Sequence, residues 1–449
     1  MTDSGARVEP LTETEAFALG VEAYIFGYPL LVMDSLRRVM TNVAKPQGTL
    51  APAGQFAHHR LFPGATDRSI AGASLDTLYS LAWLDLADDA YLLRLPAVAD
   101  RFYMMPILDG WTEVIGNPGT RTTGAEPGEY VISRTGWEGE VPCGAEHIQS
   151  GTDMVLLVGR TYSTGTPEDY ELVHALQDQY TLSPLSHGAD ADAPDDDGVV
   201  DPGVDMTTPP RDQVDNLPAV AFFQRLAVLL RSNPPTPEDA GAVNALTRLG
   251  VLEQFDENSL PPVISSAFSR VPEAAHQQIL GQYARQRQAN GWMISTGSGR
   301  YGRDYLQRAL VAYIGVGGNL PEDAFYPIAR FDGDGKVLNG ANRYVMRFTA
   351  ADIPPVAQEG FWSLSLYDSG YFLVPNGIQR HSIGSHDSFR TNTDGSIDLY
   401  IGKDSPGGEL EANWLPAPDG DFVLMMRLYS PKDEALGGTW APPPVRLQS

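Results

Sequence analysis

The alternation of apolar and polar residues is clearest between Gly360 and Tyr429. The runs WSLSLYD and SIDLYIG alternate with a period of two, which is typical of half-buried strands. Turn-forming residues separate such runs, as at Pro375-Asn376-Gly377 and Asp394-Gly395. This pattern predicts an all-β module in the C-terminal part of the chain.

A second strand-rich region extends from about Ser74 to Tyr162. Its short runs are rich in aromatic and β-branched residues, and glycine-containing turns separate them at intervals of ~8–12 residues. Such spacing is typical of a β-sandwich.

Helical periodicity marks the N-terminal part of the chain and its middle. Thr12 and Glu15 have the spacing of a capping box, and apolar residues recur at helical spacing after them. Three further helices are predicted in the middle of the chain, at Leu217–Arg231, Thr236–Phe255 and Pro272–Gln288. The pattern as a whole therefore predicts a mixed, β-rich multidomain protein with an α-helical segment.

Charge and cysteine usage narrow the set of partners. The chain of 449 residues has 57 acidic and 31 basic residues and a formal net charge of −26. Such a field repels phosphate backbones and anionic lipids, so we expect neither nucleic acid nor a membrane as a partner. Cys143 is the only cysteine, which excludes a disulfide within one chain.

The N-terminal stretch MTDSGARVEPLTETEAF lacks the apolar core of a signal peptide. No apolar run approaches the ~20 residues that span a bilayer. We therefore expect a cytoplasmic protein.

Cofactor motifs are weak. Gly297-x-Gly299-x-x-Gly302 precedes a predicted helix, but no series of βαβ units accompanies it, so a glycine-rich connector is the better interpretation. His381 and His386 are five positions apart and would face opposite ways on a regular strand unless Gly384 breaks it. We predict no cofactor, with a metal site at His381 and His386 as the lesser alternative.

Several stretches resemble a bacterial family that joins two domains of unknown function, numbers 1254 and 1214. The resemblance to the first rests on EAYIFGYPLLVMDSLRR, LDTLYSLAWLDL and RFYMMPILDGWTEVIG. The resemblance to the second rests on GFWSLSLYDSGYFLVPN, QRHSIGS, NWLPAP and FVLMMRLYSP. Together the two resemblances cover nearly the whole chain, and the C-terminal motifs are the more specific.

The resemblance implies an immunoglobulin-like β-sandwich, a helical segment and a C-terminal jelly roll, but no activity. The expected domains are an N-terminal helix and loop lead (1–73), the immunoglobulin-like sandwich (74–165), an α-helical domain with an acidic loop (166–295), and a connector helix with the jelly roll (296–449). This chain departs from the family pattern at Leu75, where the family usually has Asn, and at His381, where it often has Tyr or Phe.

Acid/base chemistry suits the polar residues in these turns and strands. The predicted catalytic residues are His381, Arg380, Asp368, Asp76 and Asp109. The predicted substrate-binding residues are Tyr79, Trp111, Arg160, Tyr367, Asn376, Asn413 and Trp414. The structural alternatives are that Asp368 shapes its turn, Arg160 pairs with a carboxylate between domains and His381 is a satisfied core residue. For Asn413 the alternative is that it fixes a loop, and for Trp414 that it anchors a core.

Two classes of function follow. The first is a cofactor-independent enzyme of hydrolase, lyase or isomerase type that acts on a small organic molecule bound between the two β domains. The second is a non-catalytic protein that binds a carbohydrate or another small ligand on a jelly-roll face. In both cases the partner is a small molecule, and a homodimer is a possible assembly.

Overall fold

The computed structural model describes residues 10–68, 71–188, 197–254 and 260–448. Its helices are α1 Glu13–Met40, α2 Pro167–Gln177, α3 Pro210–Asp215, α4 Ala219–Leu229, α5 Ala240–Arg248, α6 Val251–Gln254, α7 Pro262–Phe268, α8 Val271–Tyr283, α9 Tyr305–Ile314 and α10 Asp433–Leu436. Short 3-10 helices lie at Leu185–His187, Pro237–Asp239 and Gly408–Asn413.

The strands form four sheets within the described residues. They are β1 Ala57–His58, β2 Thr77–Asp85, β3 Tyr91–Leu95, β4 Tyr103–Met104, β5 Ile107–Asp109, β6 Val114–Gly116, β7 Gly128–Arg134, β8 Glu146–Ser150, β9 Met154–Tyr162, β10 Thr181–Pro184, β11 Arg287–Ala289, β12 Trp292–Ile294, β13 Ala324–Phe325, β14 Ile328–Ala329, β15 Tyr344–Phe348, β16 Val356–Asp368, β17 Ser382–Gly384, β18 Ile397–Gly402, β19 Trp414–Pro416, β20 Phe422–Pro431 and β21 Arg446–Leu447. The architecture is thus mixed, β-rich and multidomain.

Helix α1 begins at a capping box and lies in the middle of the helical unit. The Thr12 hydroxyl accepts from the Glu15 backbone N–H, and the Glu15 carboxylate accepts from the Thr12 backbone N–H. The helix packs against α3, α4, α5, α7, α8 and α9, so the predicted N-terminal lead is the centre of this unit. Sequence order hides this arrangement, because the first β unit separates α1 from its helical partners along the chain.

Contrary to the expectation from sequence, α1 is by length and composition long and apolar enough to cross a membrane. In its most apolar window, 78% of the residues are buried inside the protein. The buried residues of α1, among them Tyr24, Phe26 and Leu31, belong to the hydrophobic core of the helical unit.

The first β unit consists of two sheets around one hydrophobic core. One has the order β1-β2-β9-β5-β6, with β4 beside β9, and the other has the order β10-β3-β7-β8. Leu84 and Leu157 from the first sheet share a core with Leu93 and Ile132 from the second. Strand β10 brings the unit to Pro184, beyond the expected boundary at residue 165.

The second β unit also encloses one core between two sheets. Their orders are β11-β12-β14-β20-β16-β17, with β13 beside β20, and β19-β18-β15-β21. Trp362 and Leu364 from the first sheet share this core with Met346 and Leu399 from the second.

The unit begins earlier than the sequence pattern predicts. The helix expected to reach Gln288 ends at Tyr283, and β11 and β12 form a hairpin around Asn290-Gly291. Both turn residues have positive φ (55° and 85°), the conformation that Asn-Gly favours in a tight hairpin. The preference of Asn290-Gly291 for a tight turn therefore decides the structure of this segment, although its apolar spacing predicts a helix.

The two faces of the β16–β20 pair have different surroundings. One face lines the core of the second unit, and the other lies at the contact with the first unit. Trp362, Leu364 and Leu366 of β16 face the core of the second unit. On the other face, Ser363 lies opposite Arg427 and Phe361 lies opposite Tyr429. Ser363, Arg427 and Tyr429 are nevertheless also buried. The face expected to meet water is covered by the first β unit, and this contact positions the site described next.

Candidate functional site

Arg427 is a buried cation at the contact between the two β units, with only 2% of its surface exposed. Its Nη1 donates to Ser365 Oγ (2.9 Å), and its Nη2 donates to Tyr367 OH (2.8 Å). Nη2 also donates to the carbonyl oxygen of Gly72 at 2.6 Å. The guanidinium therefore joins strand β16 to the chain segment that leads into β2.

Asp76 lies in that segment and is also buried, with 8% of its surface exposed. The Ser363 hydroxyl donates to Asp76 Oδ2 at 2.7 Å, and the Asp76 backbone N–H donates to Ser74 Oγ at 3.1 Å. Burial raises the pKa of the Asp76 carboxyl, although the charge of Arg427 and the bond from Ser363 oppose the shift. The carboxyl is therefore set up to hold a proton more readily than an exposed aspartate does.

Arg160 and Tyr79 occupy directly opposite positions on β9 and β2. Arg160 Nη1 donates to Tyr79 OH at 2.6 Å, and its Cζ lies 4.5 Å from the centre of the Tyr79 ring. Only 9% of Arg160 is exposed, and its Nε is buried without a hydrogen-bond partner. An unsatisfied buried donor is uncommon and calls for an explanation.

Tyr326 and Tyr429 complete the group from the second β unit. Their ring centres are 6.2 Å apart, and Arg427 Cζ lies 5.6 Å from the centre of the Tyr326 ring. The Tyr429 hydroxyl is 3.2 Å from Ser74 Oγ. Burial raises the pKa of Tyr326 and, more strongly, that of Tyr429, so both phenols stay neutral.

We call this group the junction cluster. Its members are Asp76, Tyr79, Arg160, Tyr326, Tyr367, Arg427 and Tyr429. Tyr79 and Tyr326 are only half-buried, whereas Tyr367 and Tyr429 are fully buried. The cluster thus reaches solvent on the side of Tyr79 and Tyr326.

Four of the residues predicted from sequence meet in the junction cluster: Asp76, Tyr79, Arg160 and Tyr367. They come from both β units. The other predicted residues lie elsewhere.

Arg380, His381 and Asn376 form a separate group in the second unit. Arg380 Nη1 donates to the carbonyl oxygens of Glu411 (2.8 Å) and Trp414 (3.0 Å). Asn376 Nδ2 donates to the Arg380 carbonyl (2.8 Å) and is 3.2 Å from His381 Nδ1.

The position of His381 on the sheet separates it from Arg427. Its carbonyl accepts from the backbone N–H of Leu366, whose side chain belongs to the core of the second unit. Because side chains alternate along paired strands, His381 faces away from the side on which Arg427 lies.

Three other predicted site residues make local structural contacts. Asp368 Oδ1 accepts from the backbone N–H groups of Gly370 (2.9 Å) and Phe372 (3.0 Å). Asn413 Nδ2 donates to the carbonyls of Arg390 and Asp398, and Trp414 Nε1 donates to the carbonyl of Gly402. These contacts match the structural alternatives for Asp368 and Asn413. Asp368 Oδ2 also pairs with Arg68 Nη1 at 3.0 Å.

Asp109 and Trp111 belong to the contact between the first β unit and the helical unit. Asp109 Oδ1 accepts from the backbone N–H groups of Trp111 (2.9 Å) and Glu113 (3.0 Å). Trp111 Nε1 donates to the carbonyl of Pro234 at 3.2 Å. Burial raises the pKa of the Asp109 carboxyl to about 7.

The glycine-rich connector is bonded to the same contact. The backbone N–H groups of Tyr301 and Gly302 both donate to the Glu113 carboxylate, at 2.9 Å each. Arg308 Nη2 donates to that carboxylate at 3.0 Å. The Glu113 carboxylate thus accepts from backbone N–H groups of the kind that bind a phosphate in a dinucleotide-binding fold.

The two histidines considered for a metal have different neighbours. His381 is next to Asn376, whereas the His386 ring lies 4.6 Å from that of Tyr162 and 5.4 Å from that of Phe361. Within the described ranges, no three side chains of His, Cys, Asp or Glu are grouped closely enough to hold a metal ion. His386 instead borders the junction cluster and acts electrostatically on Asp76.

Sequence reasoning missed Arg427, Tyr326 and Tyr429. Arg427 interrupts the otherwise apolar run FVLMMRLY, and a cation in a run that predicts a buried strand is a detectable signal. Tyr326 and Tyr429 are indistinguishable from core aromatics until their surroundings are known.

Family models match both β units. The model described as "Protein of unknown function (DUF1254)" matches residues 53–184, and "Protein of unknown function (DUF1214)" matches residues 323–433. The chain therefore belongs to the proteins that pair an N-terminal DUF1254 domain with a C-terminal DUF1214 domain. No curated protein matches it.

One solved structure shares the fold of the whole chain, and a second was compared with it. The VPA0106 protein of Vibrio parahaemolyticus is 22% identical, with a TM-score of 0.70, and the match covers 97% of this chain and 100% of that one. A putative uncharacterized protein from Burkholderia cenocepacia is 13% identical, with a TM-score of 0.43, over 97% of this chain and 94% of that one. The first of these likenesses supports the arrangement of the whole chain.

Proposed function

We propose that this protein is a cofactor-independent enzyme that acts by general acid/base chemistry on a small organic molecule bound at the junction cluster. The observation that carries the proposal is the buried Asp76 carboxyl beside Arg427. Perturbed carboxyl groups with a charged partner occur preferentially at functional sites. In the same proposal the first β unit is an immunoglobulin-like sandwich and the second is a jelly roll.

Asp76 is the general acid and base in this proposal. A carboxyl with a raised pKa takes and returns a proton closer to neutral pH than an exposed one does. Ser363 orients it through the 2.7 Å bond.

Arg427 stabilises negative charge that develops on the substrate, because a fixed cation in a buried site needs no reorganisation during the reaction. Its bonds to Ser365, Tyr367 and Gly72 hold the guanidinium in place. Hydrolysis, elimination and isomerisation all suit these two groups.

The alternative of a carbohydrate-binding face requires exposed aromatic rings. Trp362 and Trp414 are buried, with 4% and 8% of their surfaces exposed, and the Trp414 N–H is already bonded within the protein. These observations argue against carbohydrate binding on these two tryptophans.

The proposal places the enzyme in the cytoplasm, with a small molecule as its partner. The net charge of −26 supports the expectation that nucleic acid and anionic membranes are not partners. Self-association to a homodimer is compatible with this function.

The test is substrate turnover by the wild-type protein and Asp76→Asn. Both are incubated with a panel of small esters, lactones, β-hydroxy acids and α-hydroxy ketones, and consumption is followed by liquid chromatography and mass spectrometry. We expect the wild type to convert at least one class, and Asp76→Asn to be slower by about 10²–10⁴-fold.

Asp153→Asn is the matched control, since Asp153 is also a buried aspartate of the first β unit and forms an ion pair with Arg134. It should keep the wild-type rate. Equal rates for the wild type and Asp76→Asn, or no conversion of any compound by the wild type, would contradict the proposal.

A further inference from the structure

The junction cluster holds more positive than negative charge. It contains two guanidinium groups, Arg160 and Arg427, but a single carboxyl, that of Asp76. Asp76 is bonded to Ser363 and acts electrostatically on Arg427. Because buried charges in proteins are normally paired, the second guanidinium needs an explanation.

Arg160 is the cation left without a counterion. Among the described residues, no carboxylate oxygen lies within ion-pair distance (4.0 Å) of its guanidinium. The side chains that act most strongly on it are Tyr79, Tyr326 and Tyr429, followed by the like charge of Arg427. Neutral phenols do not cancel a buried charge, and Arg427 opposes it.

The hydrogen bonds of Arg160 are also incomplete. Nη1 donates to the Tyr79 hydroxyl, but Nε is buried with no acceptor. A guanidinium presents its N–H groups as a planar fork, and a carboxylate accepts two of them in parallel. The missing acceptor and the missing negative charge would both be supplied by one carboxylate.

We propose that Arg160 binds a carboxylate group of the substrate and so selects small organic acids. This inference rests on the proposed function at the junction cluster and adds the class of its substrate. In this proposal the carboxylate approaches Arg160 from the side of Tyr79 and Tyr326, the two half-buried tyrosines of the cluster. The remainder of the molecule then extends toward Arg427 and Asp76.

The test compares a carboxylate with its neutral isostere. Binding of benzoate and benzamide, and of acetate and acetamide, is measured by ligand-observed NMR at constant ionic strength, with inorganic phosphate as a further probe. We expect the wild type to bind the carboxylates and to discriminate against the amides by about 10- to 100-fold, as charged hydrogen bonds do.

Variants then assign the carboxylate to Arg160. Arg160→Gln should lose this discrimination. Arg160→Lys, which keeps the charge without the planar fork, should retain only part of it. Arg94→Gln is the control on the other sheet of the same unit and should behave as the wild type. Circular dichroism verifies that each variant is folded.

The discrimination by the wild type tests the inference even if an Arg160 variant fails to fold. Equal binding of amides and carboxylates, preference for phosphate over carboxylates, or wild-type discrimination by folded Arg160→Gln would overturn it.

Failure of this inference is distinguishable from failure of the proposed function. Carboxylate binding through Arg160 without Asp76-dependent turnover would contradict only the proposed enzyme. Asp76-dependent turnover of uncharged compounds without preference for acids would contradict only the carboxylate site.

Discussion

Arg427 Nη2 donates a 2.6 Å hydrogen bond to the carbonyl oxygen of Gly72, a residue 355 positions earlier in the chain. The contact joins the two β units at the point where Asp76, Arg160 and four tyrosines meet. A single side chain therefore takes part both in holding the units together and in the proposed chemistry.

Replacement of Arg427 should destabilise the whole protein. Arg427→Met removes the partner of Asp76 and leaves the Gly72 carbonyl without its donor. Loss of one member of a buried charged group costs about 3–5 kcal/mol. The measurement is the free energy of unfolding in urea, with intrinsic fluorescence as the signal.

Arg347→Met is the matched control for this prediction. Arg347 lies on the surface of the second unit, where it pairs with Asp394 and Asp398. Exposed ion pairs contribute about 0–1 kcal/mol. A loss of similar size in both variants would show that Arg427 has no special role in the contact.

Stability should depend on pH through Asp109. The pKa of its carboxyl is raised to about 7 in the folded protein, mainly by burial, against about 3.9 in an unfolded chain. Between pH ~4 and ~7 the folded state therefore keeps a proton that the unfolded state has released. The contribution of the Asp109 carboxyl to folding stability is therefore complete below pH ~4 and is lost as pH rises through ~7.

Asp109→Asn isolates this effect. Asparagine keeps the oxygen that accepts from Trp111 and Glu113 but does not ionise. Relative to the wild type, the variant should gain about 4 kcal/mol of stability between pH ~4 and pH ~8, since each pKa unit corresponds to about 1.4 kcal/mol. Parallel pH curves of unfolding free energy for the two proteins would contradict the prediction.

The histidine predicted from sequence provides a test of where the site lies. His381 is bonded to Asn376 and faces away from Arg427, so His381→Ala should keep turnover within about threefold of the wild type, an effect below 1 kcal/mol. Steady-state rates with the substrate found in the panel decide this. A loss as large as that of Asp76→Asn would move the site to the Arg380–His381 group.

Part of the fold was predictable because its causes are local. The alternation in WSLSLYD predicts β16, the spacing of Thr12 and Glu15 predicts the start of α1, and turn residues predict several strand ends. The Asn290-Gly291 hairpin was equally local, but helical periodicity before it obscured the turn signal.

Part of the candidate site was also visible in the sequence. Asp76, Tyr79, Arg160 and Tyr367 were singled out as polar or aromatic residues in two β modules. Their convergence on Arg427 was not predictable, because a period-two pattern indicates which residues share a face but not what covers that face.

The sequence by itself determined many of the strands and turns, the net charge of −26 and the pairing of two domains of unknown function. The tertiary structure alone decided that the serine face of β16 is buried against the segment from Gly72 to Asp76, and that α1 is the centre of the helical unit. The physical reason is the distance along the chain over which each interaction acts. Periodicity and turn chemistry act between neighbouring residues, whereas the charge balance around Arg160 and Arg427 arises from residues hundreds of positions apart.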